Sequence, residues 1–285
     1  MTRTTCRYPS CDNAPTTNGE HRRGFCYTRC EVKHDHIRES LKLLKLEQIP
    51  VDLYIMTDMN YESGLGSSGA VTVAILNALH YFKGETVSKK QLIDEASYIE
   101  IDALEGAAGY HDHSISALGG IQFIEYDGRK VLPQKGEMPE GQKELFGNRL
   151  MFFYTGRHAK TKPSLEILNS NIEKAYEGLS RIKQLAYDLR NAFQEGDLYK
   201  AGEIIQSQQE IKQTLPGNFD DQFVHDIVEK VNELGGQVQI PGGKIGAFVM
   251  VYAEEQEQQK IRQELADFHE VKFTLEEQGA QVVEI

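Results

Sequence analysis

The sequence predicts an α+β protein of two lobes, strands concentrated in the first and helices in the second, behind a small cysteine-rich segment. Three observations predict it. Short runs of β-branched and aromatic residues alternate with stretches of helical periodicity. Long helical patterns dominate after residue 164. All four cysteines of the 285-residue chain fall within its first 30 residues, so composition shifts sharply near residue 31.

Residues 1–31 are rich in Thr, Arg, Asn, Pro and Gly and carry few large aliphatic side chains, too few for a core of their own. Ile37, Leu41, Leu44 and Leu46 then mark a short amphipathic helix, and Val51–Met56 reads as a strand. A glycine-rich turn leads into a second helix with Val71, Ile75, Ala78, Leu79 and Phe82 on one face. Ser88 is placed to cap a third helix carrying Leu92, Ala96, Ile99 and Ala103, which the run Gly106 to Gly109 ends. Ile121–Tyr126 reads as a strand, Asp127-Gly128 as a turn, and residues 133–148, with two prolines and three glycines, as a loop. Leu150–Tyr154 is a strand; helices are expected over 164–194, 197–213 and 220–234, the first two parted at Glu195-Gly196-Asp197. A strand at Phe248–Tyr252, a helix at Glu255–Phe268 and a strand at Val271–Leu275 close the chain. The resulting boundaries are 1–35, 36–148 and 149–285.

Charge narrows the function. Thirty-one basic against 43 acidic residues give a formal net charge of −12, without the broad positive field that nucleic acid requires. No apolar run approaches the roughly 20 residues of a membrane span, and the N-terminus lacks the apolar core of a secretory signal. A soluble, cytoplasmic protein is expected, with neither membrane nor nucleic acid as partner.

The chemistry concentrates in Glu62-Ser-Gly-Leu-Gly-Ser-Ser-Gly-Ala-Val71, between the first strand and the second helix. Gly64, Gly66 and Gly69 let a ligand approach the backbone without Cβ clashes. Unpaired N–H groups and the dipole at a helix start favour an anion. Ser67 and Ser68 add hydroxyls for phosphate oxygens or a magnesium ion. No Gly-Lys-Ser/Thr follows, so this is not a Walker loop. The letters fit Gly-x-Gly-x-x-Gly, but no second strand ending in an acidic residue lies near Gly84-Glu85, as a dinucleotide site would need. On spacing alone, a plain helix start with serine caps reads as well as a phosphate site.

The full string Gly64-Leu65-Gly66-Ser67-Ser68 after a strand resembles the ATP-phosphate loop of the GHMP kinases. Within that family the chain is most similar to D-glycero-D-manno-heptose 7-phosphate kinase-like sugar kinases, through Arg38 to Leu44, Tyr154-Thr-Gly156 and Ile182 to Arg190. The resemblance implies a ribosomal protein S5 domain 2-like N-terminal lobe and a helical, ferredoxin-like C-terminal lobe. It implies ATP and Mg2+ as cofactors, a small-molecule sugar or sugar phosphate as substrate, and Gly64, Leu65, Gly66, Ser67, Ser68 and Gly69 as the nucleotide loop. It carries the magnesium ligands to Ser68 and Glu100, and the base that orients or deprotonates the substrate hydroxyl to Asp112. Histidines 111 and 113 flank that aspartate where the family has glutamines; two imidazoles around a carboxylate are also a metal-binding pattern. The strands that open the family's domain, with their Arg-containing substrate motif, are not found before residue 36. The late loop, nearly all glycine in the family, reads Ile240-Pro-Gly-Gly-Lys-Ile-Gly-Ala-Phe248. A second reading is therefore an inactive GHMP scaffold that binds nucleotide or a protein partner; a homo-oligomer is compatible with either.

The cysteines stand as Cys6-x4-Cys11 and, after 14 residues, Cys26-x3-Cys30. Two close pairs across a short loop suit tetrahedral zinc, with His21, His34 and His36 as substitute ligands. The alternative is four unliganded thiols.

Overall fold

The computed structural model describes residues 4–5, 24–25, 32–57, 64–106, 109–128, 130–157, 161–217, 221–242 and 247–284. Cys6, Cys11, Cys26 and Cys30, and the zinc site expected of them, lie outside the described residues. The chain divides into two compact units: Met1–Tyr61, Gly66–Gly119 and Gln278–Ile285 form one, Glu62–Leu65 and Gly120–Glu277 the other.

Among its described residues, the first unit is a small sheet and four helices. Strand β3 (Leu53–Ile55) pairs antiparallel with β1 (Thr4–Thr5) on one side and β2 (Gly24–Phe25) on the other. Two short strands from the segment before residue 36 thus flank β3. Helix α1 (Asp35–Leu43) buries Ile37 and Leu41. Helix α2 (Ser67–Phe82) buries residues on nearly every side, among them Val71, Val73, Ile75, Leu76 and Leu79. A helix apolar nearly all round belongs at the centre, and α2 packs against α1, α3 and α4. Leu76 is 0% exposed, so Leu76→Ala would cost about 2–5 kcal/mol. Helix α3 (Lys89–Ser97) starts where Ser88 Oγ accepts from Gln91 N–H, and runs into a π-helical turn, Tyr98–Ala103. Buried His80 fastens α2 beside α3: Nδ1 lies 2.7 Å from Glu85 Oε2 and Nε2 2.6 Å from Glu95 Oε2. Helix α4 (Tyr110–Leu118) completes the unit.

The second unit opens with the hairpin β4 (Gln122–Asp127) and β5 (Lys130–Lys135), then α5 (Gln142–Arg149). Strand β6 (Leu150–Tyr154) follows, then α6 (Thr161–Ser170), α7 (Ile172–Glu195), α8 (Leu198–Gln213), α9 (Gln222–Glu233), β7 (Gln237–Gln239), β8 (Phe248–Tyr252), α10 (Glu255–Glu264) and β9 (His269–Val271). The strands order as β7-β8-β6-β9, all antiparallel. Strand, helices, two strands, helix and strand along the chain, with the strands in that sheet order, are ferredoxin-like connectivity. The core lies between this sheet and α9 and α10, around Met151, Phe153, Val224, Val231, Val249, Val251 and Ile261.

Several expectations change. Strands are not concentrated in the first lobe, because a four-stranded sheet organises the second unit. Residues 133–148 contain β5 and α5, not a continuous loop; Pro133 sits in β5, whose two-stranded ribbon has an outer edge that needs no N–H there. The helix expected over 164–194 breaks at Asn171, whose side chain donates to Ile167 O. The last strand is His269–Val271, set by pairing with β6.

Candidate functional site

Gly66 begins α2 in the left-handed region, with φ +70°, which suits glycine. The first helical bond runs from Ala70 N–H to Gly66 O. No helical carbonyl therefore accepts from the N–H groups of Ser67, Ser68 and Gly69, and the dipole concentrates positive potential there.

Opposite this helix start stands the first turn of α4, which carries Asp112. A Cβ on Gly66 would lie 2.7 Å from Asp112 Oδ1, and one on Gly69 would lie 2.9 Å from Asp112 Cβ and 3.1 Å from its carbonyl carbon. Glycine at 69 costs about 1 kcal/mol of helix propensity against Ala; the close approach of α4 is its reason. Glu100 enters through the π-helical turn and is 7% exposed. Ser68 Oγ donates to Glu100 Oε1 at 2.5 Å, and His113 Nε2 meets Oε2 at 2.7 Å. Thr72 Oγ1 donates back to Ser68 O. Since that hydroxyl proton is used, His36 Nδ1, 2.7 Å from Thr72 Oγ1, is the donor there.

The two carboxylates diverge electrostatically. Burial pushes the Asp112 carboxyl above the ordinary aspartate value, with Glu100 adding to the rise and His111 and His113 opposing it. Burial also acts to raise Glu100, but the hydrogen bonds from His113 and Ser68, with both nearby imidazoles, outweigh it and hold that carboxyl below its ordinary value. Burial lowers His36 as well.

Gly66, Ser68, Gly69, Glu100 and Asp112 are brought together in the first unit, and Ser67 lies in the same helix start. Gly64 and Leu65 count with the second unit; there a Cβ on Gly64 would lie 3.3 Å from Pro241 O. The flanking histidines part company: His113 is buried on Glu100, while exposed His111 lies 3.2 Å from Asp112 Oδ1. Among the described residues no group of three or more His, Cys, Asp or Glu side chains could hold a metal ion. The Ser68 hydroxyl and the ionised Glu100 carboxylate nevertheless converge as oxygen donors, a set that fits magnesium, which takes one or two protein ligands and completes its shell with phosphate and water. Two participants escaped sequence reasoning in this role. Thr72 gave no signal beyond its place one turn after Ser68. His36, read there as a substitute zinc ligand, is engaged by Thr72.

Residues 34–120 match the family described as "GHMP kinases N terminal domain". Over those residues the chain resembles a GHMP kinase. A mevalonate kinase from Methanothermobacter thermautotrophicus is 33% identical over 91 residues, 32% of this chain and 29% of that protein. An L-fucokinase/L-fucose-1-P guanylyltransferase from Bacteroides fragilis is 23% identical over 273 residues, 91% of this chain and 28% of that protein. The chain thus spans under a third of the length of either relative. A D-glycero-D-manno-heptose 1-phosphate kinase from Bacteroides thetaiotaomicron superposes with a TM-score of 0.71 at 18% identity, over 91% of this chain and 79% of that one. That likeness establishes the GHMP kinase fold. Among the described residues no helix is long and apolar enough to cross a membrane.

Proposed function

We propose that this chain transfers the γ-phosphoryl group of ATP to a hydroxyl of a sugar or sugar phosphate. The observation that carries the reading is the pairing of Ser68 with Glu100 beside Asp112, at a helix start built for anions. Ser67, Ser68 and Gly69 hold phosphate oxygens through main-chain N–H groups, with Gly64, Leu65 and Gly66 leading into the helix. Asp112 orients the substrate hydroxyl and accepts its proton. The hydroxyl oxygen bonds to the γ-phosphorus as the β,γ-bridging bond breaks, and ADP leaves. Ser68 and Glu100 would hold magnesium, which would supply positive charge to offset that of the phosphates. Catalysis rests on positioning and on charge stabilisation. His113 keeps Glu100 turned toward Ser68.

The family match and the mevalonate and sugar kinases among the relatives support phosphotransfer to a small alcohol. The heptose 1-phosphate kinase fold supports the sugar class. ADP formation over a panel of sugars, sugar phosphates and mevalonate, with ATP and Mg2+, tests it. Nucleotide binding without turnover on any acceptor would favour the inactive scaffold, and no binding would remove both readings. The cysteine segment is proposed as a zinc site; a metal content near zero in protein purified without chelator removes it.

A further inference from the structure

Strand β7 is an edge of its sheet, pairing only with β8 among the described strands. Its outer side meets not a strand but α8. Three side chains spaced i, i+3, i+6 on one face of that helix act on the backbone. Gln206 Oε1 accepts from Val238 N–H at 3.2 Å, and Gln209 Oε1, on a residue 1% exposed, accepts from Ile240 N–H at 2.9 Å. Lys212 Nζ then donates to Ile240 O and Gly242 O, both at 2.6 Å. Helix side chains thus take the place of a neighbouring strand and carry the contact three residues past β7, to Gly242.

The carbonyl turn held by Lys212 is the one that Gly64 touches. A Cβ on Gly242, whose φ is +73°, would lie 2.9 Å from Gly64 Cα, and a Cβ on Gly64 would lie 3.3 Å from Pro241 O. Backbone meets backbone there, so displacing one moves the other.

We propose that Lys212 is a positioning residue for the phosphate segment: by clamping the carbonyls of Ile240 and Gly242 it fixes the surface on which Gly64 rests, and with it the start of that segment. The assignment rests on the phosphotransferase reading for its consequence, but not for its structural content. The ammonium carries three donors, so one side chain reaches both carbonyl oxygens and offsets their repulsion.

Hydrogen–deuterium exchange on the full chain tests the structural part without nucleotide. In Lys212→Met the segments 240–242 and 64–65 should exchange about tenfold faster, while the segments of α9 and α10 exchange as in wild type and Lys212→Arg regains protection. Wild-type exchange at 64–65 in Lys212→Met overturns the proposal; so does an equal loss throughout the unit, which would make Lys212 a general structural residue. Should Lys212→Met not fold, Lys212→Gln gives the same readout. In turnover, the Met variant should raise KM for ATP about tenfold and leave KM for the acceptor unchanged; the reverse split also overturns it. If wild type neither binds nor turns over ATP, the phosphotransferase reading fails, and exchange still decides the role of Lys212.

Discussion

The hydroxyl of Ser68 donates to Oε1 of Glu100 at 2.5 Å, joining residues 32 apart in sequence at the start of α2. His113 holds the other carboxylate oxygen, so the pair is fixed before any ligand arrives. Glu100→Gln should weaken magnesium binding about tenfold or more, because a neutral amide replaces the only carboxylate of the pair. Calorimetric titration of Mg2+ in the presence of a non-hydrolysable ATP analogue measures it. An unchanged affinity would remove Glu100 from the metal site.

The role proposed for Asp112 comes with a stability cost. Its carboxyl is raised by burial, so the folded state holds a proton more tightly than the unfolded chain. Stability is then greatest below the ordinary aspartate value and is lost as pH rises through the folded value. At neutral pH the ionised group is a burden, and Asp112→Asn should raise thermal stability while lowering turnover about 10²–10⁴-fold. The acid limb of the wild-type rate profile should fall above the ordinary aspartate value. Calorimetric melting and a pH–rate series check both halves.

Gly69 tests the fit of α2 on α4. An added methyl gains about 1 kcal/mol of helix propensity but meets Asp112 Cβ at 2.9 Å, between two backbones that cannot both yield. Gly69→Ala should therefore destabilise by about 1–3 kcal/mol net and displace Asp112, reducing turnover more than nucleotide affinity. Denaturant unfolding and paired kinetic and binding measurements read the two effects.

Burial pushes the Lys212 ammonium down to about 8. Here the folded state gives up its proton earlier than the unfolded chain. Between about pH 8 and the ordinary lysine value the unfolded state binds more protons, so stability rises with pH. The slope contributed by one such proton is at most about 1.4 kcal/mol per pH unit. Urea midpoints at pH 7.5, 9 and 10, compared with Lys212→Met, should show this rise in wild type and lack it in the variant.

Much of this was legible in the sequence where local signals agree with tertiary demand. Leu150–Tyr154 and Phe248–Tyr252 are continuous apolar runs and appear as strands with those bounds. Ser88 caps as expected because its hydroxyl competes only with water. Glu100 shows what was less legible. A helical glutamate is ordinarily solvated, yet Glu100 follows Leu92 and Ala96 at i+8 and i+4, on the buried face. An acid on an apolar stripe was the available signal. β7 is three residues long and depends on α8 side chains, which no local pattern announces. The partners of β3 come from a segment with no strand periodicity, so only pairing reveals them.

In the proposed function Asp112 takes a proton from an alcohol as phosphate transfers from ATP. The direct measurement is ADP release by wild type and by Asp112→Asn, with Mg2+, over the panel of sugars, sugar phosphates and mevalonate. Acceptor-dependent turnover in wild type, reduced at least about 100-fold in Asp112→Asn with nucleotide binding retained, is the predicted result. Equal turnover in the two proteins would contradict it.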